Sequence, residues 1–444
     1  MLYQFLKCHK AQHLSLLLLA GPMILSNITV PLLGLVDTAV IGHMGDAHFL
    51  AGIALGSSAI SVLFWLASFL RMSTTGVIAQ SSGQQDHDKL ARSLFTSMLI
   101  ALLFAVSLIL LSPLLVQVIA QLSNASSEVF EQAKLYFQIR VFSAPAAMLN
   151  LVLLGFMLGM HYGRGPFYLV LFTNIVNIAL DILFVVGFEW GVAGAAWASL
   201  IADYSALGLS LFLSALVAKR YGIALKFTLP KRAQWLSLLT LNRDIFIRSL
   251  ILQLCFSFMT FYGARLGEIT LAANAVLLNF LMLVSFAMDG IAYAAEAKVG
   301  RAKGQGSLGQ LQLWVKVSLF WGAAFALLYS AIFYLAGGWI ISLLTNIPEV
   351  ITLAGTYLPW LVLLPLIAMS CFLFDGIFVG LTRAKEMRNS MLVSAVFGFF
   401  LPFLIALPLG NHALWLAMSC FMGLRGLTLA YKYHLLAREA TLLE

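Results

Sequence analysis

The sequence predicts an all-α membrane protein whose twelve transmembrane helices form two pseudo-symmetric six-helix bundles. Three observations predict it. Of 444 residues, 61% are hydrophobic and 10% charged, far from the soluble range of about 45–50% apolar and about 25% charged. The apolar residues gather into runs that each reach or exceed the roughly 20 residues a helix needs to cross a bilayer. One constant offset of 221 residues then lays similar residues of the two halves over one another.

The twelve runs lie at about 14–41, 49–80, 93–121, 132–159, 166–187, 191–216, 243–264, 270–299, 311–342, 350–381, 389–409 and 412–434, between polar or Gly/Pro-containing loops. Lys7 and Lys10 ahead of the first run resemble a signal peptide, but the run continues for a full span without an A-x-A site, so an uncleaved helix is expected. That helix holds Pro22, Pro31 and Asp37. Lysines and arginines crowd the termini and the loops after even-numbered spans, as at Lys219 to Arg243, Lys298 to Lys303 and Arg383 to Arg388. The positive-inside rule therefore puts both termini in the cytoplasm. The net charge of +8 reports this topology and not a nucleic-acid partner, since the bases form no groove-sized patch. Cys8, Cys255, Cys371 and Cys420 are scattered, three of them inside apolar runs, and indicate neither a disulfide framework nor a metal cluster. No cofactor is expected.

The long polar interval divides the spans six and six, giving an N-terminal bundle at 1–218, a cytoplasmic linker at 219–242 and a C-terminal bundle at 243–444. The offset maps Gly42, Leu50 and Ala51 to Gly263, Leu271 and Ala272, and Gly83, Gln84 and Leu90 to Gly304, Gln305 and Leu311. It also maps Gly155 and Gly159 to Gly376 and Gly380, two small-xxx-small pairs suited to close helix packing. An even number of spans per copy means that the copies share one orientation, related by an axis along the membrane normal.

The acids break this symmetry. Asp37 maps to Phe258, Asn177 to Gly398 and Asp181 to Pro402. In span five, Thr173, Asn174, Asn177 and Asp181 are spaced by three and four, so they share one helical face that cannot point to lipid. Asp37 and Asp181 lie about four and six residues from the outer ends of their spans, which at 1.5 Å per residue allows one common level. Ser199 and Asp203 add to the same pocket from span six. A carboxylate at mid-bilayer costs roughly 2.5–3.5 kcal/mol on insertion scales, so such acids face protein or water. Asn177 and Ser199 can equally be interhelical hydrogen-bond glue, and Asp203 can pair with a buried base, Arg140 being the candidate. In the second half, Asp375 and Asp289 are either a second relay or partners for Arg71 or Lys316.

The early helix with Pro22 and Asp37 running into DTAVIGHMG, the run NIVNIALDILFV followed by GVAGAAWAS, and FDGIFVGLTRA in the second half resemble the multidrug and toxic compound extrusion (MATE) family, in its DinF-like branch. The resemblance covers essentially the whole chain. It implies a V-shaped pair of bundles and an antiporter that exports amphipathic, mostly cationic drugs and dyes in exchange for an inward ion. It further implies a proton-coupling site at Asp37 and Asp181 with Asn177, a hinge at Pro22, and substrate contacts from Asn174, Asn177, Ser199 and Asp203. Ser199 falls where some relatives have Thr. The sodium-coupled branch uses acids of its C-terminal lobe; Asp375 is similarly placed, but span seven has no acid between Ile245 and Leu266, so the expected coupling ion is a proton with sodium possible. The expected protein is monomeric and lies in the bacterial cytoplasmic membrane, with drugs, protons and lipid as its partners.

Three other readings rank lower. A flippase for lipid-linked saccharide needs a basic cavity for pyrophosphate, whereas this one gains acids. An intramembrane enzyme needs a nucleophile–base pair or a metal set, but the eight histidines sit in loops or at span ends, with no H-E-x-x-H or G-x-S-x-G motif. A channel is disfavoured by acids confined to one half of a repeat.

Overall fold

The computed structural model describes residues 7–41, 47–123, 126–224, 231–439 and 441–443; the side chains of 29–48, 50, 122 and 123 lie outside the description. Among the described residues 12 helices are long and apolar enough to cross a membrane. In order they are Lys10–Ile28, Ala51–Gln84, His87–Gln121, Ser127–Gly159, Arg164–Gly187 and Gly191–Arg220, then Arg232–Arg265, Glu268–Gly304, Leu308–Leu344, Pro348–Gly380, Ala384–Ile405 and Asn411–Arg438. Large apolar side chains such as Leu110, Leu335 and Ile405 stay exposed on them, which water would penalise and lipid does not. The backbone of the first helix continues unbroken to Ile41.

Packing divides the chain differently from the repeat. One unit comprises Leu25–Leu239 and the other Met1–Ile24 with Thr240–Glu444. Two continuous helices, Lys10–Ile41 and Arg232–Arg265, therefore each begin in one unit and end in the other. In the second unit Leu16, Leu19 and Ala20 share a core with Ile291, Ala294, Ala297 and Val317. In the first unit Gln234 Nε2 donates to Ser93 Oγ at 3.4 Å.

The polar interval expected as a linker over 219–242 is mostly helix. Span six runs to Arg220 and span seven starts at Arg232, directly after Pro230 and Lys231. Leu238 is buried, so this extension packs instead of hanging as loop.

The 221-residue repeat holds at the level of contacts. A Cβ on Gly155 would stand 2.6 Å from the carbonyl oxygen of Arg71, and one on Gly376 would stand 2.6 Å from that of Ala292, the equivalent residue. Gly159 likewise faces the carbonyl of Thr75 at 3.0 Å and Gly380 that of Glu296 at 2.6 Å, again an equivalent pair. Both bundles thus bring their second and fourth helices together through glycine, where backbone meets backbone.

Three irregularities place the polar residues. Span four is interrupted by a 3₁₀ turn, Val141–Ser143, between Arg140 and the Pro145-bearing start of the next segment. Proline cannot donate the hydrogen bond that would continue the helix, so Arg140 sits at a break. Span five ends in a π-helical turn at Ile182–Gly187, directly after Asp181. Span eleven carries its own at Ser394–Phe400.

Candidate functional site

In span five the polar face expected from spacing is turned inward. Asn177 and Asp181 are 3% and 4% exposed, while Ile175 and Ile182 beside them point outward. Asn174 is half-buried. Thr173 donates its hydroxyl hydrogen to the carbonyl of Leu169 at 2.7 Å, so its polarity is spent on its own helix. Asn177 Nδ2 donates to Ser199 Oγ at 3.2 Å, joining spans five and six. Pro22 is half-buried, two residues before the packing boundary at Ile24. The side chain of Asp37 lies outside the described residues; its backbone is helical.

One turn along span six from Ser199, Asp203 is held by Arg140. The guanidinium donates to Asp203 Oδ2 at 2.6 Å and to Ser143 Oγ at 2.5 Å. Asn150 Nδ2 donates to the Asp203 carbonyl at 3.2 Å, and Asn150 Oδ1 accepts from Ser210 Oγ at 2.7 Å. The alternative raised from sequence, an ion pair with Arg140, is therefore the geometry found for Asp203. Ser143, Asn150 and Ser210 were not foreseen; a lone Asn in the middle of an apolar span was the signal available for Asn150.

Asp375 does not meet Arg71 or Lys316, the expected partners. Lys316 is exposed, and Arg71 belongs to the first unit. Arg248 of span seven and Arg425 of span twelve both donate to Asp375 Oδ2, the latter at 2.6 Å. Span seven supplies a base here and no acid.

The symmetry mates of the site residues sit in different surroundings. Span eleven has its π-turn over Ser394–Phe400, whereas span five has its own only after Asp181. Under the constant offset Asn177 corresponds to Gly398, inside that turn, and Asp181 to Pro402. Gly398 is buried and Pro402 half-buried, and beside them Phe399 and Phe403 are 0% and 3% exposed. Phe258, the mate of Asp37, meets both rings edge-on at 5.8 and 5.1 Å. Where the first unit places an amide and an acid, the second places a dry aromatic cluster.

The MatE family profile matches residues 22–183 and 245–404, once in each half. The chain belongs to the MatE family. Members of this family are transporters, which sets enzymatic function aside. The chain is 47% identical over 414 residues to the DNA damage-inducible protein F of Escherichia coli (strain K12), covering 93% of this chain and 90% of that one. It is 26% identical over 352 residues to the multidrug and toxin extrusion protein 1 of Homo sapiens, covering 78% of this chain and 60% of the other. Among solved structures, a MATE crystal structure in the bent conformation superposes with a TM-score of 0.85 at 19% identity, covering 97% of both chains. An outward-facing multidrug resistance MATE family transporter superposes at 0.84 with 20% identity and 96% coverage of both. These last two likenesses speak to the fold: this MatE chain is a multi-pass membrane protein built as they are.

Proposed function

We propose that this MATE-family efflux transporter is a proton-coupled antiporter of amphipathic, mostly cationic compounds, with the coupling site in the first unit. The observation that carries the reading is the buried pair Asn177 and Asp181 on one face of a membrane-crossing helix, joined through Ser199 to span six. A carboxylate in a membrane-crossing helix can take up and release a proton, and Asp37 of the first helix is proposed as the partner of Asp181 in doing so. A bound proton and a bound organic cation then compete for the same negative charge. Asn174 and Ser199 line the pocket with neutral donors and acceptors that tolerate different cargo, and Asp203, held by Arg140, sets the wall beneath them.

Pro22 is the proposed hinge. Its missing N–H removes one bond from the first helix, and the helix passes from one packed unit to the other just beyond it, at Ile24 and Leu25. Protonation of Asp37 or Asp181 loosens the carboxylate's hydrogen bonds, and a two-state helix biased by a few kcal/mol responds to one proton. The monomer works in the bacterial cytoplasmic membrane with both termini in the cytoplasm, as the distribution of Lys and Arg supports.

The test is purified protein in liposomes with a cationic dye inside. Export driven by an imposed pH gradient and not by a sodium gradient is the expected outcome. Export driven by sodium at constant pH would refute the coupling ion.

A further inference from the structure

The second unit holds a carboxylate of its own, and its surroundings are unlike those of Asp181. Asp375 is buried in span ten, and two guanidiniums from separate helices, Arg248 and Arg425, converge on the same oxygen, Oδ2. Both arginines are themselves more than nine-tenths buried. Beyond the carboxylate, Arg425 finds the Met422 sulfur at 3.2 Å and lies over the Phe421 ring at 5.3 Å. Among the described residues, the thiols of Cys371 and Cys255 also interact with this cluster, and Asp289 of span eight acts on Cys371.

Such a cluster is the inverse of a hard-cation site. Sodium, like calcium and magnesium, wants a shell of oxygen ligands and a surplus of negative charge. Here Asp375 gives one oxygen to two fixed positive charges, and the further contacts of Arg425 are a thioether sulfur and a ring face, neither of them a hard-cation ligand. A bidentate-capable guanidinium cannot be deprotonated and so never yields its place by losing a proton.

We propose that Arg248 and Arg425 decide the ion selectivity of the second unit: they are built-in counter-cations of Asp375, and they close this carboxylate to sodium. The inference deepens the proton-coupling reading and rests on it for the cycle it serves, since it explains why a second buried acid in the membrane does not add a second coupling ion.

The test titrates purified full-length protein in detergent with NaCl against choline chloride at constant ionic strength and reads the thermal midpoint by intrinsic fluorescence. Wild type and Asp375→Asn are expected to give the same flat response. Arg248→Gln/Arg425→Gln replaces fixed charge with amide oxygen and is expected to gain a saturable stabilisation by sodium, which adding Asp375→Asn removes. A saturable sodium response in wild type that Asp375→Asn abolishes overturns the proposal. So does a folded double variant indifferent to sodium. If the double variant does not fold, Arg248→Gln alone replaces it under the same criterion, and the wild-type comparison decides independently of both. Sodium-driven export in liposomes, with a wild-type sodium response that Asp375→Asn leaves unchanged, would sink the proton reading and leave this one standing.

Discussion

The Arg140–Asp203 pair can be weighed against its surroundings, and the weight predicts a non-additive pair of substitutions. The two side chains are 12% and 21% exposed, with N and O at 2.6 Å. At an effective dielectric constant of about 20, unit charges at that separation attract by roughly 6 kcal/mol. Desolvation of both ions offsets much of this, so the intact pair adds little over a neutral pair of similar shape, whereas removing one partner strands a charge at a cost of about 3–5 kcal/mol. Asp203→Asn and Arg140→Gln should each destabilise by that amount. The double variant should lie within about 1–2 kcal/mol of wild type, a coupling energy of about 4 kcal/mol or more. Equilibrium unfolding by titration from mild detergent into SDS measures all three. Costs that add to within about 0.5 kcal/mol would show that the two charges do not interact and would refute the electrostatic account. Dye binding to the double variant then separates scaffold from contact: a stable protein that still binds places Asp203 in the wall, and one that no longer binds makes its carboxylate a ligand.

Four further outcomes are expected. Asp37→Asn keeps the shape of the side chain and removes its titration, so drug resistance in cells with equal amounts of inserted protein should vanish; normal resistance contradicts this. Asp181→Asn and Asn177→Ala should lower dye export by an order of magnitude or more, whereas Phe399→Ala and Phe403→Ala should cost about 3–5 kcal/mol of stability and leave the response to pH in place. Gly155→Ala and Gly376→Ala each drive a methyl to 2.6 Å from a carbonyl oxygen and should destabilise by about 1–3 kcal/mol, equally in the two bundles; a marked asymmetry in SDS unfolding would count against the repeat as a packing unit. Spin-label distances along the first helix should differ between acid and alkaline pH, straighter at high pH, and an unchanged helix, or an unchanged response in Asp37→Asn, would mean that the proton acts elsewhere.

The sequence made the membrane class, the twelve crossings and the two copies legible because each follows from composition or from spacing along one chain. Gly155 and Gly376 show how far this goes: an offset counted in residues reappears as one backbone contact made twice. The inward face of Asn177 and Asp181 was legible for the same reason, a period of three and four. Partners across helices were not. Nothing in the order of residues says that Arg248 and Arg425, 177 positions apart in sequence, close on Asp375, because helix rotation about its own axis is settled by packing. The start of span seven was read at 243 and not at Arg232, because the charges around it resemble those of a loop, and an amphipathic extension differs from a linker only in having somewhere to pack. The π-turns carried no compositional mark at all, and the buried rings of Phe399 and Phe403 beside Gly398 and Pro402 were not foreseen.

Those π-turns also bear on tolerance to a change in length. A π-turn takes one residue more than an α-turn. The two halves carry theirs at different places, Ile182–Gly187 and Ser394–Phe400, so the place where a residue can be lost without turning the rest of the helix differs between the copies. Elsewhere in a membrane helix, losing one residue swings everything beyond it by about 100° and exposes polar faces to lipid. Loss of one codon within 182–187 only restores an ordinary helix, making the stretch just beyond Asp181 a place where length variation among relatives can accumulate while the acid and the amide one turn before it stay where they are.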